Sequence, residues 1–188
     1  MKKIFKSIFI IAALLLTFTT TNVPALAAGE GACKSDQTGF SEFDGLTTVD
    51  LLARLIYSEA GGESMNGKKA IAKIVENRVA KNLTEFGGAS YKGVILNPVG
   101  GFDGMRTSLA RCPATSNQDW KDSLTAANDY SSVNIGQTLW FNTTDLFTAL
   151  SRNDNGYLEY RFPATSNYKR VVERIVIGNH TFFKVSGY

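Results

Sequence analysis

A glutamate near the end of an apolar helical segment is the residue of this sequence best suited to acid chemistry. Residues 55–63 read LIYSEAGGE, so Glu59 falls in the last helical turn before Gly61 and Gly62. The negative pole of the helix dipole and shielding by Tyr57 would both raise its pKa. A carboxyl that stays protonated can donate to the leaving oxygen of a glycosidic bond. The same residues also fit a solvated glutamate before a glycine cap, and physical reasoning alone favours that alternative.

A second carboxylate, Glu63, follows Glu59 by four residues. On one continuous helix both would share a face, although the two glycines between them interrupt that helix. Two carboxyls about 5 to 9 Å apart could act as an acid and base pair. Alternatively, Glu63 is an acid at the start of the next helix, where negative charge is favourable. The sequence leaves both possibilities open.

Further polar and aromatic residues are candidates for substrate binding. Tyr57 could supply a flat surface for a ring, although aromatic residues more often lie in the core. Asn77 could bind Glu59 or an amide group, or simply occupy a polar helix face. Asn142 could be an inward donor or a turn residue at a strand end. We expect Arg78 to be solvated or ion-paired.

Three helices should position these residues. Thr47 or Thr48 caps the first, with Asp50 as a capping-box partner, and the helix ends at the glycine pair. The second runs from Asn66 or Gly67 to about Lys81, and the third covers 117–131, with Trp120 and Tyr130 on its apolar face. Residues 82–116 are rich in Gly, Asn and Pro and predict turns and loops.

Strand patterns dominate the C-terminal half. Residues 138–142 predict a short strand, and Asn155-Gly156 marks a turn. Residues 174–177 and 180–185 predict a hairpin closed by Gly178-Asn179 in a type II′ turn, with His180 in a structural role. Helices first and strands later predict a single small α+β domain, with N-terminal helices packed on a short antiparallel sheet.

The N-terminus has the pattern of a secretory signal peptide. Lys2, Lys3 and Lys6 precede a short apolar run, and Ala25-Leu26-Ala27 fits a cleavage site after Ala27. An uncleaved anchor is the alternative, although the run is too short to span a bilayer. We therefore expect residues 1–27 to be a signal, 28–46 a flexible arm and 47–188 the functional domain, exported and without a stable membrane anchor.

The charge balance narrows the possible partners. Three of the 20 Lys and Arg residues lie in the signal, so the mature chain has 17 basic and 17 acidic residues and no net charge. This balance argues against nucleic acid as the main partner and against charge-driven retention on an anionic surface.

Two cysteines, Cys33 and Cys112, remain after processing, and an oxidising compartment favours a disulfide between them. Two free thiols are the alternative. With a single histidine in the chain, no Cys and His spacing suggests a metal site. We expect no metal and no cofactor.

Several segments together resemble the spore-cortex-lytic cell-wall hydrolase family, the SleB-like catalytic domains. The resemblance runs from about Leu51 to Val185, and its first two blocks are specific. The matching pieces are ARLIYSEAGGE at 53–63, Gly67, Ala70 and Ala72 followed by VENRV at 75–79, Gly93-Val94-Ile95 leading to Phe102, Trp140-Phe141-Asn142, and IGNHTFF at 177–183.

This resemblance implies a lysozyme-like active-site helix and cleavage of peptidoglycan strands between N-acetylmuramic acid and N-acetylglucosamine. The family's catalytic glutamate corresponds to Glu59. Such enzymes resemble lytic transglycosylases, in which one glutamate protonates the glycosidic oxygen and then takes a proton from the muramic C6 hydroxyl. One carboxyl can do both steps, since the first leaves it in the state that the second requires.

The sequence also departs from the family. It has no wall-binding repeat before the domain, so the protein must find its substrate through its cleft or a partner protein. Residues 102–104 read Phe-Asp-Gly, which leaves that loop's sugar contacts open. Two other functions stay possible: an inactive peptidoglycan-binding module, and a stem-peptide amidase. The sequence does not distinguish sporulation from growth.

Overall fold

A computed structural model describes residues 29–35 and 39–188 of the chain. The signal sequence expected at 1–27 lies outside these residues. Six α-helices are present in the described part: α1 (Thr48–Ala60), α2 (Met65–Lys81), α3 (Tyr91–Ile95), α4 (Ser108–Arg111), α5 (Gln118–Asn128) and α6 (Thr144–Leu150). Short 3-10 turns lie at Ser41–Phe43, Thr84–Phe86 and Asp103–Arg106.

Helix α1 is the centre of the helical layer. Its Thr47 cap accepts a hydrogen bond from the Asp50 amide, as the sequence predicts, and the helix ends before Gly61. Every residue from Asp50 to Tyr57 is buried, so the helix is enclosed on all sides rather than on one apolar stripe. Helices α2, α4 and α5 pack around it. Burial of its polar residues then requires internal partners, and Arg54 meets this need by pairing with Asp50 at 2.9 Å.

A five-stranded antiparallel sheet covers the other half of the domain. Its strands are β1 (Trp140–Thr143), β2 (Ser151–Asp154), β3 (Tyr157–Arg161), β4 (Tyr168–Ile177) and β5 (His180–Val185), in the order β1-β5-β4-β3-β2. Strand β5 is buried on both faces. Phe182 joins the main core with the helices, and Phe183 joins a second cluster with Phe147 and Tyr160. The α+β prediction is thus confirmed.

Both predicted turns close hairpins. Asn155 and Gly156 have φ values of 50° and 80°, the positive pair of a type I′ turn, between β2 and β3. Gly178 has φ 59° and the chain pairs Ile177 with His180 across it, which agrees with the expected type II′ turn.

Several element boundaries differ from the predictions. Helix α5 ends at Asn128, and Tyr130 lies beyond it, where its hydroxyl bonds that of Tyr91 at 2.8 Å. Strand β4 begins at Tyr168, six residues early, and β1 begins at Trp140 rather than 138. Helix α6 and the strands β2 and β3 were not predicted, although the turn between these strands was. Phe147 of α6 and Tyr160 of β3 pack with Phe183 of β5, a contact between residues distant in the sequence. The interval 82–116, predicted to be mostly turns and loops, also contains the short helices α3 and α4.

The described part of the predicted N-terminal arm contacts the helical layer. The Gly31 amide donates to Asp50 and the Ala32 carbonyl accepts from Arg54. Cys33 and Cys112 form a disulfide, and the Lys34 amide donates to the Arg111 carbonyl beside it. Asp50 and Arg54 therefore connect residues 29–35 to α1.

Among residues 29–35 and 39–188, no helix combines the length and the hydropathy needed to cross a membrane.

Candidate active site

The Glu59 side chain lies at the C-terminal end of α1 and faces the Asp103–Arg106 turn. The Gly104 amide donates to Glu59 Oε1 over 2.6 Å. Glu59 has intermediate exposure, and its pKa is raised chiefly by burial, with a further contribution from the charge of Asp103. The Gly104 hydrogen bond and the charge of Arg78 act in the opposite direction. The net result is a raised pKa, in the direction expected from the sequence, and burial is its largest cause.

Gly104 is a residue that the sequence analysis did not identify. A Cβ atom at this position would lie 2.5 Å from Ser58 Oγ and 2.7 Å from Glu59 Oε1. Only glycine lets the turn approach closely enough for its amide to reach the carboxylate. The Phe-Asp-Gly triplet in a loop was the available signal, but nothing in the sequence links it to Glu59.

Arg78 also takes a different role from the expected one. It is buried rather than solvated, with 5% exposure, and donates to the Leu139 and Gly100 carbonyls at 2.8 and 3.1 Å. Its guanidinium lies over the rings of Phe86 and Phe102. Burial lowers its pKa to about 10, which leaves it charged at neutral pH, while Glu59 and Glu85 favour that charge. Arg78 therefore supplies a buried positive charge that acts on Glu59.

Glu63 is held by the β4–β5 turn. Its two oxygens accept from the amide and the side chain of Asn179, at 3.2 and 3.0 Å, and its Oε1 lies 3.5 Å from His180 Nδ1. Burial lowers the pKa of His180, and the Glu63 charge opposes that effect. These contacts connect the α1–α2 junction to the sheet.

The remaining candidates lie in structural positions. Tyr57 is 7% exposed and meets Trp120 edge to face at 5.8 Å, so its ring is part of the core and offers no surface for a sugar. The Asn77 side chain donates to the Gly136 and Thr138 carbonyls and supports the segment before β1.

Asn142, on β1, donates to the Tyr160 hydroxyl at 2.6 Å. Neither Asn77 nor Asn142 makes a hydrogen bond with Glu59 in the described part of the chain.

Four of the surface cavities in the described part of the chain, with volumes of about 460 to 730 Å³, do not have Glu59 in their lining. Within the described ranges, no group of three or more His, Cys, Asp and Glu residues is arranged to hold a metal ion.

Comparison with known proteins gives two similar solved structures. No family model matches the chain, and no curated protein matches it. The catalytic domain of the Bacillus cereus SleB protein is 22% identical, over 75% of this chain and 94% of that one, with a TM-score of 0.44. The catalytic domain of the germination-specific lytic transglycosylase SleB from Bacillus anthracis is 22% identical, over 75% and 98%, with a TM-score of 0.45. Both are SleB catalytic domains, the group that the sequence motifs resemble.

Proposed function

We propose that this protein cleaves peptidoglycan strands between N-acetylmuramic acid and N-acetylglucosamine, with Glu59 as the catalytic acid. The observation that carries the proposal is the state of this carboxyl. It is partly buried, its pKa is raised, and one of its oxygens is fixed by the Gly104 amide. A partly exposed carboxyl with a raised pKa at a helix end is suited to proton donation.

In the first step, the protonated Glu59 gives its proton to the glycosidic oxygen. The bond from that oxygen to muramic C1 breaks, the N-acetylglucosamine hydroxyl leaves, and positive charge develops on the muramic ring. Because Gly104 donates to Oε1, that oxygen acts as acceptor and the transferable proton belongs on Oε2.

In the second step, the Glu59 carboxylate takes the proton of the muramic C6 hydroxyl, and that oxygen bonds to C1. A 1,6-anhydro ring forms and the enzyme regains its proton. Burial and Asp103 favour the acid form, whereas Gly104 and Arg78 stabilise the carboxylate. These opposing influences keep both states within reach, which a group acting as acid and then base requires.

The contacts of Glu63 favour this one-carboxylate route over a hydrolytic acid and base pair. Both of its oxygens accept hydrogen bonds from Asn179, so this carboxylate is engaged with the β4–β5 turn. An inactive binding module and a stem-peptide amidase are the alternative functions. The inactive binding module predicts no cleavage of peptidoglycan. The stem-peptide amidase predicts cleavage of a peptide bond and intact glycan strands. Export by the sequence at 1–27 and action at the cell wall complete the proposal.

Digestion of purified sacculi tests the function directly. Wild type, Glu59→Gln and a matched control, Glu76→Gln, are compared by mass spectrometry of the released fragments. We expect Glu59→Gln to be folded and to cleave at least about 100-fold more slowly, while Glu76→Gln retains wild-type activity. Wild-type products should be anhydro-muropeptides, lighter by one water than hydrolysis products.

Other results would contradict specific parts of the proposal. Substantial cleavage by Glu59→Gln would reject its role as the acid. Products with a free reducing end would indicate water as the nucleophile, and new peptide ends would indicate an amidase.

A further inference from the structure

The largest of the four cavities, about 730 Å³, lies beside strand β1 and has Trp140 in its wall. Its volume falls in the range of about 300 to 1,000 Å³ typical of small-ligand sites. We infer that this cavity, which we name the Trp140 groove, binds the stem peptide of peptidoglycan. The inference rests on the proposed function, because it assigns a further part of the same substrate to a second site.

Aromatic rings form the apolar part of the Trp140 groove. Phe86, Phe162 and Tyr188 meet Trp140 edge to face, with centroids 5.5, 5.4 and 4.7 Å away. All four rings line the cavity. Because the rings pack edge to face around Trp140, they form a rigid apolar surface that can contact methyl and methylene groups.

Two opposite charges line the same groove. Glu85 is exposed and accepts from the Tyr188 hydroxyl at 3.0 Å, while Lys169 Nζ lies 4.8 Å from the centre of the Tyr188 ring. In the part of the chain that the structure describes, neither residue forms a salt bridge. The groove thus presents one carboxylate at the Tyr188 hydroxyl and one ammonium over the Tyr188 ring, and neither has an opposite charge paired with it among the described residues.

These charges favour a zwitterionic peptide over a sugar. A neutral N-acetylated sugar would displace water from Glu85 and Lys169 without supplying an opposite charge, at a desolvation cost. A stem peptide carries carboxylates and an amine on a short chain with alanine methyl groups. Its carboxylate can pair with Lys169, its amine with Glu85, and its alkyl groups can contact the aromatic wall.

The position of the groove agrees with a peptide attached to the sugar that Glu59 would act on. The Arg78 guanidinium lies between Phe86, in the groove, and Phe102, with ring distances of 5.0 and 4.7 Å. Phe102 directly precedes the turn whose Gly104 amide binds Glu59. Two side chains, Arg78 and Phe102, therefore connect the groove to the catalytic turn. In peptidoglycan, the peptide is joined at C3 of the muramic ring whose C1 is cleaved, so both sites must be neighbours.

Binding of a free peptide tests the site without requiring cleavage. The probe is the tripeptide L-alanyl-γ-D-glutamyl-meso-diaminopimelate. It is titrated into the full-length chain that carries the Glu59→Gln substitution, and binding is followed by tryptophan fluorescence. The protein has two tryptophans, and Trp120 is buried in the core, so Trp140 should report binding. We expect saturable binding that weakens about tenfold in Glu85→Gln and in Lys169→Met, and weakens with salt.

Matched substitutions away from the groove serve as controls. Glu76→Gln and Lys121→Met should bind the tripeptide as tightly as the parent, and circular dichroism establishes folding of every variant. Calorimetry repeats the titration where the fluorescence change is small. Absence of tripeptide binding overturns the inference, as does binding that both groove substitutions leave unchanged. Tighter binding of an N-acetylglucosamine tetramer than of the tripeptide would identify a sugar site instead.

Cleavage kinetics separate this inference from the proposed function. Glu85→Gln and Lys169→Met should raise KM on peptide-bearing strands with little change in kcat, and should not affect strands stripped of their peptides. Peptide binding without any strand cleavage would leave the site standing and reject the enzyme. If strands with and without peptides are cleaved with equal KM values, in the wild type and in the variants, the proposed enzyme stands and the peptide site is rejected.

Discussion

The Gly104 amide lies 2.6 Å from Glu59 Oε1 and joins the Asp103–Arg106 turn to the end of α1. This hydrogen bond orients the carboxyl and distinguishes its two oxygens. It exists because position 104 has no side chain. The proposed chemistry of Glu59 therefore depends on a residue 45 positions away in the sequence.

Gly104→Ala should strongly reduce activity while leaving the fold intact. The new Cβ would meet the ends of two side chains, Ser58 Oγ and Glu59 Oε1, and these can rotate away. The carboxyl would then lose its alignment, and we expect kcat to fall about 100-fold with a small change in melting temperature. Gly62→Ala is the control, because a Cβ there meets nothing within 4 Å. Equal activity of the two variants would disprove the positioning role of Gly104.

Arg78→Met should destabilise the fold and extend activity to higher pH. The substitution leaves the Leu139 and Gly100 carbonyls without their donor, which we expect to cost about 3 kcal/mol in the free energy of unfolding, measured with urea. The charge of Arg78 lowers the pKa of Glu59, so its removal raises that pKa and moves the alkaline limb of the rate profile upward. Arg174→Met, at an exposed position, should change neither quantity. An unshifted alkaline limb in Arg78→Met would argue against electrostatic coupling.

The raised pKa of Glu59 should appear in the pH dependence of stability. Between the unfolded pKa near 4.5 and the higher folded value, the native state binds more protons than the unfolded state. The Glu59 contribution is therefore fully present below pH 4.5 and is lost as the pH rises through the folded pKa. Glu59→Gln lacks this titration. As the pH rises from 4.5 through the folded pKa of Glu59, the melting temperature of the wild type should therefore fall relative to that of Glu59→Gln. A constant difference from pH 4 to 8 would show that the pKa is not raised.

Removal of the disulfide should destabilise the protein without altering the site. The cysteines are 79 residues apart, and closure of so long a loop is worth about 4 kcal/mol in the chain-entropy model. Cys33→Ser with Cys112→Ser should lower the free energy of unfolding by about that amount, while kcat at low temperature stays unchanged. Reduced wild type should match the double variant. Equal stability of the oxidised and reduced proteins would mean that the bridge does not constrain the chain.

Local sequence patterns were sufficient for much of the fold. The Thr47 cap, the glycine pair after Ala60 and the two hairpin turns depend on neighbouring residues, and the structure has each where it was predicted. Helix propensity and turn geometry act over a few residues, so a single sequence contains them. The short elements α3, α4, α6 and β2 were missed because packing against distant strands and helices decides them.

The sequence by itself determined the α+β class and the position of Glu59 at the end of a helix. Only the tertiary structure decided what surrounds that carboxyl. It brings the Gly104 amide to it, buries Arg78 between two aromatic rings, ties Glu63 to the β4–β5 turn and encloses Tyr57 in the core. Burial and charge at a site come from groups far apart in the chain, and the pKa of Glu59 depends on both.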